Sequence, residues 1–401
     1  MTVINDIEID DIHYNKNETK EAIVNNDPID DKLHVVIVVS NPCLFARRYI
    51  LTREFIQRME IEEPNVSLYV VELAYGKQRF IITDKKNSRH LQLRCETPLW
   101  HKENMVNLGI RALLPSNWKA VAWIDADIEF ENPTWALDTL KILNGSKDVV
   151  QLFSHCVDMG PSGDAMKIFT SWGYQYTKEM QYSSNSLNYW HPGYGWACTR
   201  KAYEKMGGLY DKGILGSGDN IMALSFLKKG VEFALNKDNT QNYKDTVNEY
   251  QVRVKNMRFG YVPGVIRHYY HGSKASRKYG ERWKILVAHR YCPSIHTKYD
   301  SNGLLVPTTE CPSKMLEEIY SYFAERDEDD IYKGQGIKGG SQPTFRNEVE
   351  KSKKMLQKIE KDEESDVDED DDEDDDPANT QQQVSKLLYK LFSPNIIPSK
   401  N

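Results

Sequence analysis

An α/β fold built on a mixed, mostly parallel sheet flanked by helices is what this sequence predicts, on three observations. Two β-branched apolar runs, "LHVVIVVS" and "VSLYVVELA", read as strands buried on both faces. A segment with helical spacing separates them. The alternation of strand and helix then continues over the first 155 residues, which is the pattern of an α/β domain.

In order, the first strand covers Leu33–Ser40 and stops at the turn signal Asn41-Pro42. Ile50, Phe55 and Met59 set a helix in "ARRYILTREFIQRMEIEE", closed by Pro64. Val66–Ala74 is the second strand. "RFIITD" predicts a third and "LQLR" (Leu91–Arg94) a fourth. "HKENMVNLGIRALLP" is a helix with Met105, Leu108, Leu113 and Leu114 on one side, and it leads into the strand of "KAVAWIDADIEF". Pro133, a favourable first-turn residue, opens the helix "TWALDTLKIL", and "DVVQLFS" is a further strand. From there to about residue 300 the chain is richer in Gly, Tyr and Trp, a composition suited to loops that recognise a polar, ring-shaped ligand.

The expected organisation is a flexible arm at 1–31, one domain at 32–324, and a tail at 325–401. The tail holds the linker "KGQGIKGGSQP", a charged helical candidate and an acidic run, Asp362–Asp376. It ends in an amphipathic helix with Val384, Leu387, Leu388 and Leu391 on one stripe. Such a short helix cannot bury its stripe alone; it folds back on the body or docks a partner or a membrane surface. Removing the 13 acidic side chains of the run from the formal net charge of −7 leaves the rest of the chain near +6. A mildly basic body suits a phosphate-bearing substrate. Nucleic acid is not an expected partner, because no sustained basic patch is interleaved with aromatics and the tail would repel phosphates.

The six cysteines are scattered, with no CxxC pair, which excludes a compact disulfide scaffold and the usual zinc spacings. The N-terminus has no basic region followed by an apolar core, and no run approaches about 18 apolar residues. A cytoplasmic protein with reduced thiols and no transmembrane segment is expected, so the sequons at Asn17, Asn65 and Asn144 read as chance matches.

The chemistry centres on "WIDADIEF". Asp125 and Asp127 end a hydrophobic strand, where ionised carboxylates are costly unless a positive charge offsets them. Residues i and i+2 of an extended chain share a side, so both can face one hard cation, Mn²⁺ or Mg²⁺. The D-x-D pairs of the acidic tail follow no strand and read as solvated charge. In "GVIRHYYHGSKASRKYGERW", His268 and His271 are acceptable Mn²⁺ ligands, and Lys274, Arg277, Lys278 and Arg282 suit a diphosphate. Asp219 in "GSGDN" stands before a helix as an N-cap, a general base, or both. Trp190, Tyr194 and Trp196 in "LNYWHPGYGWACTR" either stack on a sugar or belong to the core.

As an ordered set, "WIDADIEF", "HPGYGWACTRKAYEKMGGLYD…GSGDN" and "HYYHG" resemble the GT-A glycosyltransferases with a D-x-D motif, close to the β-1,4-galactosyltransferase and polypeptide N-acetylgalactosaminyltransferase group. The resemblance covers roughly residues 33–300 and implies a Rossmann-like GT-A domain. It implies that Asp127 binds the metal and Asp125 the ribose or a metal-bound water, with His271 as third ligand and His268 as substitute. Ser40, Asn41 and Arg47 would lie along the nucleoside, Glu72 would meet base or ribose, and Lys102 or Asn104 would reach the nucleotide. Arg277 would help the departing diphosphate. The expected activity is an inverting hexosyl transfer from a nucleotide-sugar, UDP-linked for preference, to a glycan or protein hydroxyl, with Asp219 as base. A retaining enzyme, or a catalytically silent sugar- or protein-binding module on the same fold, is the alternative. A sugar-nucleotide pyrophosphorylase would need a Gly-rich loop where this chain has "SNPCLFARR".

Overall fold

The computed structural model describes residues 27–183, 189–231 and 238–330, with a strand pair at Val3–Ile4 and Ile7–Glu8. The linker, the acidic run and the C-terminal amphipathic helix lie outside the described residues, as does most of the N-terminal arm. Residues 27–31 belong to the body: Ile29 donates its amide to Leu140 O (3.3 Å) and Asn144 donates to Asp27 O (2.7 Å).

The elements that build the site are, in chain order, β1 (Leu33–Ser40), α1 (Ala46–Glu62), β2 (Val66–Tyr75), β3 (His90–Cys95) and α2 (Lys102–Leu113). Then come β4 (Ala120–Ile124), β5 (Ile128–Phe130), α3 (Trp135–Leu143), β6 (Val149–Gln151), β7 (His155–Met159) and β8 (Ala165–Ser171). The last are β9 (Trp190–His191), β10 (Gly195–Thr199), α4 (Gly218–Phe226), β11 (Phe259–Tyr261), β12 (Val265–His268) and α5 (Ser313–Glu325).

The main sheet has seven strands in the order β11-β6-β10-β4-β1-β2-β3, and only β10 runs antiparallel to its neighbours. The period-2 alternation of β1 feeds both faces. Leu33, Val35 and Ile37 meet Phe55 and Met59 of α1, while Val36 meets Met105 and Val106 of α2. Each such side chain contributes roughly 1.5–3 kcal/mol on burial. Helix α2 lies close on the sheet at Gly109, where a Cβ would come 2.7 Å from Val71. The expected α/β architecture is therefore present, with helices on both faces.

A second sheet, β9-β8-β7-β12-β5, has no counterpart in the sequence reading. Its strands are short and interrupted by polar residues. The expected strand "RFIITD" is absent: residues 79–84 are a loop that folds back over β2. Glu72 causes this. Its buried carboxylate accepts the amides of Ile81, Ile82 and Thr83 and the Thr83 hydroxyl, so those donors are satisfied without a ladder.

Candidate active site

Asp125-Ala126-Asp127 is the bridge on which the chain leaves the main sheet at Ile124 and enters the second at Ile128. The register of that second sheet sets the site. His268 pairs with Ile128 across β12 and β5, and Tyr269 donates its amide to Asp127 O at 2.8 Å. The imidazoles of "HYYHG" are thereby delivered to the carboxylate of "DAD". Tyr194 holds the other end: its carbonyl accepts the Asp125 amide at 2.7 Å from a left-handed backbone, φ +79°, a conformation a tyrosine keeps only under constraint.

Asp127, His268 and His271 form one cluster with ligand-type atoms converging within 4.8 Å. His271 Nε2 is 2.9 Å from Asp127 Oδ2, the two Nε2 atoms are 3.3 Å apart, and His268 Nε2 is 3.8 Å from Oδ2. Neighbouring ligands of one ion, each about 2.1 Å from it at right angles, stand about 3.0 Å apart. Two edges match that spacing and the third is longer. Asp127 Oδ1 is buried without a partner. His271 Nε2 faces Asp127, His268 and, at 2.9 Å, the Arg277 guanidinium, and a single nitrogen cannot donate to a carboxylate and accept from an arginine together. A cation resolves both conflicts. The residues fit a divalent metal, and two imidazoles with one carboxylate favour Mn²⁺, Fe²⁺ or Zn²⁺ over the oxygen-seeking Mg²⁺.

The surroundings orient these ligands. His268 Nδ1 sits 2.7 Å from Asp158 Oδ1, which makes it the donor and turns the Nε2 lone pair toward Asp127. Lys274 pairs with the second Asp158 oxygen. Burial would raise the Asp158 carboxyl, but His268 and Lys274 outweigh it and hold it at about 2. Burial would likewise raise Asp127, yet His271, His268 and Arg277 bring it below the usual carboxylate range. Burial, with Arg277 adding to it, pushes His271 down to about 4, so the imidazole is neutral and able to ligate.

Asp125 stays out of the cluster and pairs with Lys102 of α2. Burial raises its carboxyl, Lys102 opposes, and Asp127 adds to the rise.

The cluster opens into a cavity of about 740 Å³. Ser40, Asn41, Lys102, Asp219 and Arg277 all line it. Asp219 lies in the first turn of α4, and Ser217, also left-handed at φ +65°, takes the N-cap position instead. Gly193 allows the close passage of "HPGYG" past it, since a Cβ there would stand 3.2 Å from Asp219 Oδ2.

Other expected residues have different work. Glu72 serves the 79–84 loop and does not line the cavity. Asn104 is turned away, bonded to Asp211, to Gly303 O and to the Leu305 amide. Arg47 donates to Tyr270 O at 2.9 Å, and its neighbour Arg48 lines the cavity. Trp196 is core, stacked on Phe259, with its N–H on Pro192 O at 2.8 Å. Trp190 reaches the wall but packs edge-on to Trp172. Tyr194 is sandwiched between His191 (4.3 Å) and His268 (4.7 Å), so its ring supports a ligand imidazole and offers no open face to a sugar.

Residues 326–330, expected to be linker, complete the wall. Glu328, 1% exposed, pairs with Arg48 and with Arg326 (2.8 Å) and lies 3.9 Å from His271 Nδ1. Asp329 accepts the amides of Ala46 and Arg47, capping α1 from far downstream. Nothing in the local composition signals either role.

No protein-family model matches the sequence, and no curated protein matches it. Among solved structures, it is similar to the catalytic domain of Drosophila β1,4-galactosyltransferase 7 in complex with xylobiose, at 11% identity and a TM-score of 0.32, covering 72% of this chain and 99% of that one. It is also similar to a mannosyltransferase from Pyrobaculum calidifontis in complex with GDP-Man and Mn²⁺, at 12% identity and a TM-score of 0.36, covering 93% and 92%. Likeness at that level assigns neither a family nor an activity.

Proposed function

We propose that this chain is a metal-dependent glycosyltransferase of the GT-A kind, moving a hexose from a nucleotide-sugar donor to a hydroxyl acceptor with inversion. One observation carries the reading. A strand-end carboxylate with an orphaned oxygen meets two buried imidazoles at the floor of a cavity lined by lysine and arginine. Asp127, His268 and His271 would hold Mn²⁺, and a bound ion supplies positive charge against a departing diphosphate.

The chain's own residues do the rest. Arg277 adds a fixed positive charge on the leaving-group side, in place before the reaction begins. Lys102 restrains Asp125, whose free oxygen suits a ribose hydroxyl. Asp219 accepts the proton of the acceptor hydroxyl as that oxygen attacks the anomeric carbon in line. The anomeric C–O bond breaks on the opposite side, and its electron pair leaves with the diphosphate. Six free thiols, four of them buried, support a cytoplasmic setting. No described helix is long and apolar enough to cross a membrane.

A panel of nucleotide sugars screened for Mn²⁺-dependent hydrolysis tests the proposal. Asp127→Ala should lower the rate on the order of 10²–10³-fold. A wild-type protein that binds no nucleotide in the presence of Mn²⁺ overturns it.

A further inference from the structure

Three guanidiniums stand nearly sealed in the cavity wall: Arg277, Arg282 and Arg326. Arg326 shares the single Glu328 carboxylate with Arg48, and Arg277 faces the Asp127–His268–His271 cluster through His271. Arg282, 5% exposed, has no carboxylate partner among the described residues. Its Nη1 donates to the Tyr322 hydroxyl (2.9 Å), its Nη2 to Ser217 Oγ (2.6 Å), and its Nε to nothing. An arginine cannot shed its proton, and a buried charge without a counter-charge is strongly unfavourable. Such a charge persists where a ligand completes it.

The neighbours increase the excess of positive charge. Arg326 donates to the same Tyr322 oxygen at 3.2 Å, and the two guanidiniums hold that phenol below its ordinary range although burial pushes the other way. Trp100 lies under both, 5.7 Å from Arg282 and 5.2 Å from Arg326, with its own N–H unmatched. The Ser217 hydroxyl oxygen accepts from Arg282 and makes no side-chain cap on α4, so the positive N-terminal end of that helix starts beside Arg282. Gly216, at φ +93°, lets the chain pass: a Cβ would come 3.1 Å from Trp100 and 3.2 Å from Arg282 Nη1.

We propose that Arg282, with Trp100 and the first turn of α4, is a subsite for a carboxylate or phosphate carried by a sugar substrate, distinct from the site of the diphosphate. The inference rests on the glycosyltransferase reading for what fills the rest of the cavity. The diphosphate belongs with Asp127, His271 and Arg277. The sugar extends from there toward Asp219, and Arg282 is tied to the residue two positions before Asp219. A neutral hexose leaves Arg282 unmatched, whereas a uronate or a sugar phosphate matches it.

Calorimetry in Mn²⁺ with UDP, UDP-glucose and UDP-glucuronate tests this on wild type, Arg282→Gln and Arg282→Lys. Wild type should prefer the glucuronate donor. Arg282→Gln should weaken that donor on the order of 30-fold, about 2 kcal/mol, while UDP and UDP-glucose change less than about twofold. Arg282→Lys should fall between. If the charge sits on the acceptor, free glucuronate or glucose 6-phosphate should bind the UDP–Mn²⁺ complex, and glucose should not. Should Arg282→Gln fail to fold in a thermal melt, the wild-type selectivity alone decides. The subsite is refuted if UDP itself loses as much affinity in Arg282→Gln, or if wild type treats charged and neutral sugars alike in both arms. A wild type that binds no UDP with Mn²⁺ sinks the glycosyltransferase reading instead. Direct titration of glucuronate then still supports the subsite, if Arg282→Gln weakens it, or overturns it.

Discussion

Glu328→Gln is the most informative single change in this molecule. It keeps the shape of a side chain that is 1% exposed and removes the only carboxylate that Arg48 and Arg326 pair with among the described residues. Breaking a buried pair by deleting one partner costs about 3–5 kcal/mol, and the lower end applies here because Arg48 is partly exposed. For a body of about 300 residues, with an unfolding entropy of about 2.1 cal/mol/K per residue, about 3 kcal/mol corresponds to a Tm lower by roughly 5 °C. The same carboxylate lies 3.9 Å from His271 Nδ1, so Mn²⁺ affinity should also fall about 10-fold, as for other groups that orient a ligand. Differential scanning calorimetry reads the first effect and Mn²⁺ titration the second. A variant within 1 °C of wild type with unchanged Mn²⁺ affinity would refute the idea that residues 326–330 belong to the site.

Asp158→Asn should weaken Mn²⁺ about 10–100-fold, because it disturbs the His268 tautomer, while it also releases Lys274 from its ion pair; paired calorimetric titrations of Mn²⁺ with and without nucleotide check it. Asp219→Asn should remove transfer and spare UDP binding, and full activity would mean that the base lies elsewhere or that the enzyme retains configuration. Stability should depend on pH in two opposed ways. His101 and His155, buried and held at about 4 against an ordinary 6.5, contribute stability that is present above about 6.5 and lost as pH falls toward 4. Burial lifts Glu103 to about 8, so its contribution is present below about 4.5 and lost as pH rises through 8. Between pH 6.5 and 8 this gives a decline of about 1.4 kcal/mol per pH unit, which Glu103→Gln should flatten in urea unfolding curves.

The first half of the fold was legible because β1, β2 and β4 are β-branched apolar runs and α1 and α2 carry helical spacing. The second sheet was not, because β7, β8 and β12 mix charged and apolar residues over a few positions. "RFIITD" looked like a strand, but its amides go to Glu72, a partner that only the fold reveals. The meeting of Asp127, His268 and His271 was readable as three residue types in a plausible order, although Asp125 was expected to join them and pairs with Lys102 instead. The aromatic segment misled: its rings resemble a sugar platform in sequence, and packing turns Trp196 inward and covers both faces of Tyr194. Arg48 was missed by one position, a shift that helical phase alone decides.

The carboxylate of Asp329 closes a circuit of about 280 residues by holding the first amides of α1. During translation, at about 5–20 residues per second, α1 therefore waits roughly 15–60 s for its cap. A nascent chain halted before that point would carry the Asp127–His268–His271 cluster without its outer wall. A stalled ribosome should thus hold a half-built cleft that leaks water rather than a working one.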